Sequence, residues 1–179
     1  MNRLFIFYVS VILLVQITGC ASMSKDKTNS GIKGIVKLTG RENRHSYTHK
    51  FQKNSIKALP ILISTGYTKK DNKRFTEIQF RAYNKKTPLN YDLIEMYNSR
   101  GDKWQWIVNK RNKKYIEKRG FTIETYYARV DSKIGELIKF FEQEPIYLKL
   151  KGNLNNFKPL ESSHIESILT VLEYARSLQ

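Results

Sequence analysis

Apolar residues along this chain follow two rhythms, and the change between them falls near residue 131. From Ile32 to about Val130 apolar and polar positions alternate in short runs, the period of half-buried strands. Ile32–Leu38, Tyr47–Phe51, Leu59–Ser64 and Phe75–Tyr83 are the first strand candidates; in the last, Thr76, Ile78, Phe80 and Ala82 share one face and Glu77, Gln79 and Arg81 the other. Tyr91–Tyr97 and Lys103–Val108, joined through Gly101, predict a hairpin with Trp104, Trp106 and Val108 on one side. Phe121–Val130 is a further strand, with Phe121, Ile123, Thr125 and Tyr127 on a common side. The connections are short, so neighbours in sequence are expected to pair as an antiparallel meander.

Beyond that point the period becomes helical. Ile134, Leu137, Ile138 and Phe141 recur at helical spacing, with Asp131 or Ser132 as the expected N-cap and Pro145 closing the segment. Ile146, Leu148 and Leu150 alternate with Tyr147, Lys149 and Lys151 as a last strand, before a loop over Gly152–Asn156. In the final helix Ser163 and Glu166 have capping-box spacing, and Ile165, Ile168, Leu169 and Leu172 form the apolar stripe. The expected fold is α+β: a mainly antiparallel sheet of short strands, covered by two C-terminal amphipathic helices, in one basic domain over 32–179.

The first residues obey neither rhythm. Leu4–Ile17 is apolar apart from Ser10 and Gln16 and follows Arg3. A membrane-spanning helix needs roughly 20 apolar residues, whereas a cationic start, a shorter apolar run and a small-residue exit make a secretory signal peptide. Ile17-Thr18-Gly19-Cys20 then closes the run, and Cys20 is the one cysteine of the chain. This segment resembles the lipobox of bacterial lipoproteins. The resemblance implies cleavage before Cys20, a diacylglyceryl group on its thiol, and residues 1–19 removed as signal. Ala21, in place of the aspartate that tends to retain such proteins at the inner membrane, implies the outer membrane, facing the periplasm. Ser22–Gly31 is small and polar, so 20–31 is expected to be the lipidated cysteine and a flexible tether. Two or three acyl chains hold a protein stably on a bilayer, where one alone is marginal.

Charge narrows the function further. Lys and Arg number 32 against 16 Asp and Glu, a formal charge of +16, and residues 1–19 carry only Arg3 of it. The densest cluster is Lys110, Arg111, Lys113, Lys114, Lys118 and Arg119, with Glu117 as its only acid. Lys69, Lys70, Lys73 and Arg74 form a second cluster, Lys85 and Lys86 a third. Such density either binds phosphate-rich surfaces, with steep salt dependence, or makes a set of solvated loops. Trp104 and Trp106 either pack in the core or form an aromatic platform beside those cations. A secretory signal argues against nucleic acid as the partner.

Catalytic signatures are missing from the sequence: there is no nucleophile elbow, Gly-rich phosphate loop or zinc-protease helix. His45 and His49 would share a metal only on a helix, and Ser46-Tyr47-Thr48 between them favours a strand. His164 in the last helix is expected to be structural, and Glu142 with Glu144 to be surface carboxylates. No cofactor or metal is expected. The reading that results is a non-enzymatic, lipid-anchored envelope lipoprotein. Its basic domain would bind an anionic envelope component, such as a glycolipid, or a partner protein. The alternative is a periplasmic immunity or inhibitor lipoprotein that neutralises a toxin or hydrolase.

Overall fold

The computed structural model describes residues 32–38, 43–54, 59–85, 88–118, 121–152 and 156–179. The signal segment, Cys20, the tether, Lys86 and Arg119 lie outside the described residues. Within them the protein is α+β and mainly antiparallel, with ten strands in two sheets and three α-helices.

The larger sheet runs in the order β1 (Ile35–Leu38), β2 (Arg44–His49), β3 (Ile61–Thr68), β4 (Arg74–Lys85), β8 (Phe121–Arg129), β7 (Lys113–Lys118). Strand β4 is its axis. The alternation read from the sequence puts Ile78 and Phe80 on the buried face, opposite Ile63 and Ile61 of β3 and opposite Ala128 and Tyr126 of β8. The second sheet is built by two excursions from this axis. A hairpin of β5 (Leu93–Tyr97) and β6 (Lys103–Ile107) leaves after β4, and β9 (Tyr147–Lys151) with β10 (Asn156–Pro159) comes later; β9 pairs with β5 in the order β10-β9-β5-β6. The β5–β6 turn has Gly101 at a φ of 83°, and the Asn98 carboxamide oxygen accepts from the amides of Arg100 and Asp102. The expected meander holds for β1 to β4 and for the pairs β5-β6, β7-β8 and β9-β10, but the strands form two sheets rather than one. Ile94, Met96, Leu148 and Leu150 of the second join the core that Ile63 and Phe80 of the first also enter.

Strand β7 falls in a segment whose charge hid its alternation, and β10 starts at Asn156, the last residue of the expected loop, and runs on through residues given no element in the sequence. The expected strand over Tyr47–Phe51 holds for Tyr47–His49, the end of β2, and is corrected at Lys50, where helix α1 (Lys50–Asn54) begins. Beyond the Tyr47–Thr65 pair β2 no longer ladders with β3, so the edge of β3 needs other partners there. Gln52, fully buried, supplies them: its carboxamide oxygen accepts from the Ile63 amide at 2.8 Å and its nitrogen donates to the Ser167 hydroxyl at 3.2 Å. The Thr48 hydroxyl donates to the Ile63 carbonyl at 2.7 Å.

Helix α2 (Ile134–Phe141) lies between β8 and β9, so only α3 (Ser162–Ser177) is C-terminal. Helix α3 packs across β1, β2 and β3, and α2 packs on α3. Both start without the expected side-chain caps. Asp131 belongs to a 3-10 turn (Asp131–Lys133), and its carboxylate accepts from the Thr76 amide of β4. At α3 the Leu160 amide donates to the Ile146 carbonyl, which holds the chain extended up to Glu161 and starts the helix at Ser162.

Candidate anion-binding site

Helix α3 covers the face of β3 that carries Ile63, which pairs with Ile78 of β4, so period 2 sends the alternate residues of both strands to the opposite face. That face bears Glu77 of β4, Tyr127 of β8, Lys114 of β7 and Arg44 of β2, in agreement with the register of the intervening pairs. The side shared by Ile123, Thr125 and Tyr127 is therefore this one, while Tyr126 and Ala128 point into the core.

A groove of about 500 Å³ opens here. Arg44 stands on one wall, its Nη1 3.3 Å from Glu77 Oε2 and its guanidinium 5.0 Å from the centre of the Phe75 ring. Those contacts hold the guanidinium at the groove wall. At Gly66, opposite Ser46, a Cβ would run into the His45 carbonyl oxygen, so glycine lets β2 close on β3 and brings Arg44 to this position. The other wall is Lys114, whose ammonium lies 5.4 Å from the centre of the Tyr127 ring, and Arg111 with Asn112 on the turn before β7. That 3-10 turn (Lys110–Asn112) is capped by Asn109, which accepts from the Arg111 amide at 2.9 Å. Among the described residues neither Arg111 nor Lys114 has a carboxylate partner.

The structure divides the predicted cluster. Arg111 and Lys114 line the groove, and Lys110 is exposed on the same turn. Lys113 is a correction. Its side chain is 5% exposed, with Nζ 2.9 Å from Glu124 Oε2, 2.8 Å from the Tyr91 carbonyl and 4.5 Å from the centre of the Tyr91 ring. On a strand, adjacent lysines must take opposite faces, so one of the pair goes inward. The backbone of Lys118 pairs with Phe121 at the end of β7; its side chain, like Arg119, is outside the description. Arg44 escaped the sequence reading because its place in the site depends on register with Glu77 two strands away. Lys69, Lys70 and Lys73 lie on the exposed β3–β4 turn and Arg74 opens β4; none of the four lines the groove, although the Lys69 amide donates to the carbonyl of Asn43, which does.

Trp104 and Trp106 are half-buried on the inner face of the β5–β6 hairpin. Trp106 lies 4.8 Å from Phe80, Trp104 6.4 Å from Phe140, and the two indoles are 5.6 Å apart. Their rings close the space between the sheets, so both residues are joined to the core. His45 and His49 sit at positions four apart in extended β2, and no group of three metal-ligating residues occurs among the described residues.

His164 is buried in α3, where Nε2 donates to the Ile61 carbonyl at 2.7 Å. Burial holds its pKa below the usual imidazole value, against the opposing effects of that hydrogen bond and of Glu161. The folded state thus resists protonation while the unfolded state takes up the proton near pH 6.5. Stability from this residue is fully present above that pH and falls as acid is added through the unfolded and then the folded pKa. Urea titrations at pH 7.5 and 5.5 are expected to show a loss that is smaller in His164→Gln; an equal loss in both proteins would contradict the assignment.

No protein family, curated protein or solved structure matches the chain.

Proposed function

We propose that the protein is a non-enzymatic lipoprotein anchored through acylated Cys20 to the bacterial envelope, on the periplasmic side of the outer membrane, where it binds an anionic envelope component in the groove. The observation that carries the binding half is the convergence of Arg44, Arg111 and Lys114, from three separate elements, with two of the three lacking carboxylate partners among the described residues. Unpaired cations kept side by side repel one another, so a structure that gathers them gains stability when an anion arrives. The anchor half is supported by the lipobox resemblance at Ile17–Cys20.

Lipopolysaccharide binding to the purified protein tests the site. Each hydrogen bond to a charged group contributes about 1.5–3 kcal/mol, so Arg111→Gln with Lys114→Gln is expected to weaken binding by roughly a hundredfold or more. The remaining affinity is expected to depend less steeply on salt. Wild-type affinity in the double variant would overturn the reading. For the anchor, intact-mass analysis of protein recovered from its host is expected to show fatty chains on Cys20, and a bare thiol would refute it.

A second reading, the immunity or inhibitor lipoprotein, is favoured by one feature. Edge strand β7 exposes Tyr115 and Ile116 to half their surface beside the groove cations. Such an edge suits an acidic strand from a target enzyme. Near-stoichiometric co-purification of one acidic enzyme that is lost on Ile116→Lys would select it.

A further inference from the structure

Resting on the anion-binding reading, we infer that the groove takes a hydroxyl-rich phosphomonoester, a sugar phosphate in chemical class, rather than a linear polyanion. Three features of the lining lead there. The cations are of two kinds: Arg44 and Arg111 present planar forks that match the oxygens of a terminal phosphate, and Lys114 adds a compact charge beside them. Among the described residues only Nη1 of Arg44 is engaged, with Glu77, so its guanidinium keeps donors for an incoming oxyanion while it lies 5.0 Å from the centre of the Phe75 ring.

Glu77 decides between ligand types. Its carboxylate lies in the same lining and holds Arg44 through Oε2, so a ligand with an anion at every repeat must compete with it for that guanidinium. A ligand with one anionic head and hydroxyl groups elsewhere does not. The neutral residues of the lining are Asn43, Asn112 and Tyr127, types that exchange hydrogen bonds with hydroxyls in both directions, and the Tyr127 phenol also accepts from Gln79 at 3.4 Å. A volume of about 500 Å³ is far more than a single phosphate fills and falls in the range of small-molecule sites.

The same phosphate could be carried by a free sugar or by a lipopolysaccharide core. Calorimetric titration of the full-length protein with glucose 6-phosphate, inorganic phosphate, glucose and dextran sulfate separates the alternatives. Glucose 6-phosphate is expected to bind about tenfold or more tighter than phosphate, with glucose silent, since each hydroxyl that finds a partner in the lining adds a neutral hydrogen bond. Dextran sulfate is expected to be the weaker ligand of the wild type and to gain on Glu77→Gln. Asn112→Ala, on an exposed turn with little to disturb in folding, is expected to lose affinity for glucose 6-phosphate while keeping that for phosphate. Dextran sulfate or phosphate binding as tightly as glucose 6-phosphate would overturn this inference and leave the anion site standing; silence from every anionic probe would remove both. Lipopolysaccharide that displaces glucose 6-phosphate assigns the sugar phosphate to the glycolipid, and lipopolysaccharide that does not assigns it to a free metabolite.

Discussion

Lys113→Met is expected to destabilise the protein by about 3–5 kcal/mol, while Lys114→Met, one residue on, leaves stability within about 0.5 kcal/mol. The two lysines look alike in sequence and face opposite ways on β7. Lys113 penetrates to the Glu124 carboxylate, which is 1% exposed and also accepts from the Asn90 amide at 2.8 Å. Removing the ammonium leaves that carboxylate buried without its counter-charge, and the Tyr91 carbonyl without its donor. The damage spreads, because Asn90 and Tyr91 lead into β5 and the ion pair ties the edge of the larger sheet to the start of the second. Urea midpoints of both variants check the contrast. Lys113→Met combined with Glu124→Leu is expected to recover most of the loss, since a buried pair exchanged for apolar groups costs little or nothing. A single-variant loss under about 1 kcal/mol would show that Glu124 is hydrated in solution, against the burial seen here.

That contrast marks where the sequence stops being informative. Period 2 over Thr76–Ala82 and Trp104–Val108 located strands and their inner faces correctly, because burial enforces alternation on one side. The same rule holds in Lys113–Lys118, but with cations on both faces it leaves no hydropathy signal, so this strand looks in the sequence like a charge cluster alone. The α2 and α3 stripes were legible and their caps were not: Asp131 is claimed by Thr76 of β4, and the start of α3 is set by Leu160 pairing with Ile146. For the site, Arg111 and Lys114 could be found as local charge. Arg44 and Glu77 could not, since 33 residues and a full strand separate them and only sheet order makes them neighbours. Helix α1 belongs to the same category. Nothing local in Lys50–Asn54 announces a helix, and what it answers is a vacancy on the edge of β3.

Gln52→Leu is accordingly expected to cost about 2–3 kcal/mol, although the substitution preserves volume and adds apolar surface to a buried position. Leucine offers the Ile63 amide no acceptor and the Ser167 hydroxyl no donor, and both lie where water does not reach. The Thr48 hydroxyl still bonds the Ile63 carbonyl, so the edge of β3 is half satisfied and the fold survives. Two measurements check this: the urea midpoint, and amide exchange at Ile63, which is expected to quicken more than at Ile78 on the fully paired axis strand. Unchanged exchange at Ile63 would mean that another group already serves that amide. Anion affinity at 25 °C is expected to stay at the wild-type value. Arg44 stands at the far end of β2, where pairing with Thr68, and with Tyr67, Gly66 and Thr65 behind it, fixes its register independently of α1. The fold therefore separates the two demands on this strand: its last residues and α1 seal the core, and its first residue presents a guanidinium to the groove.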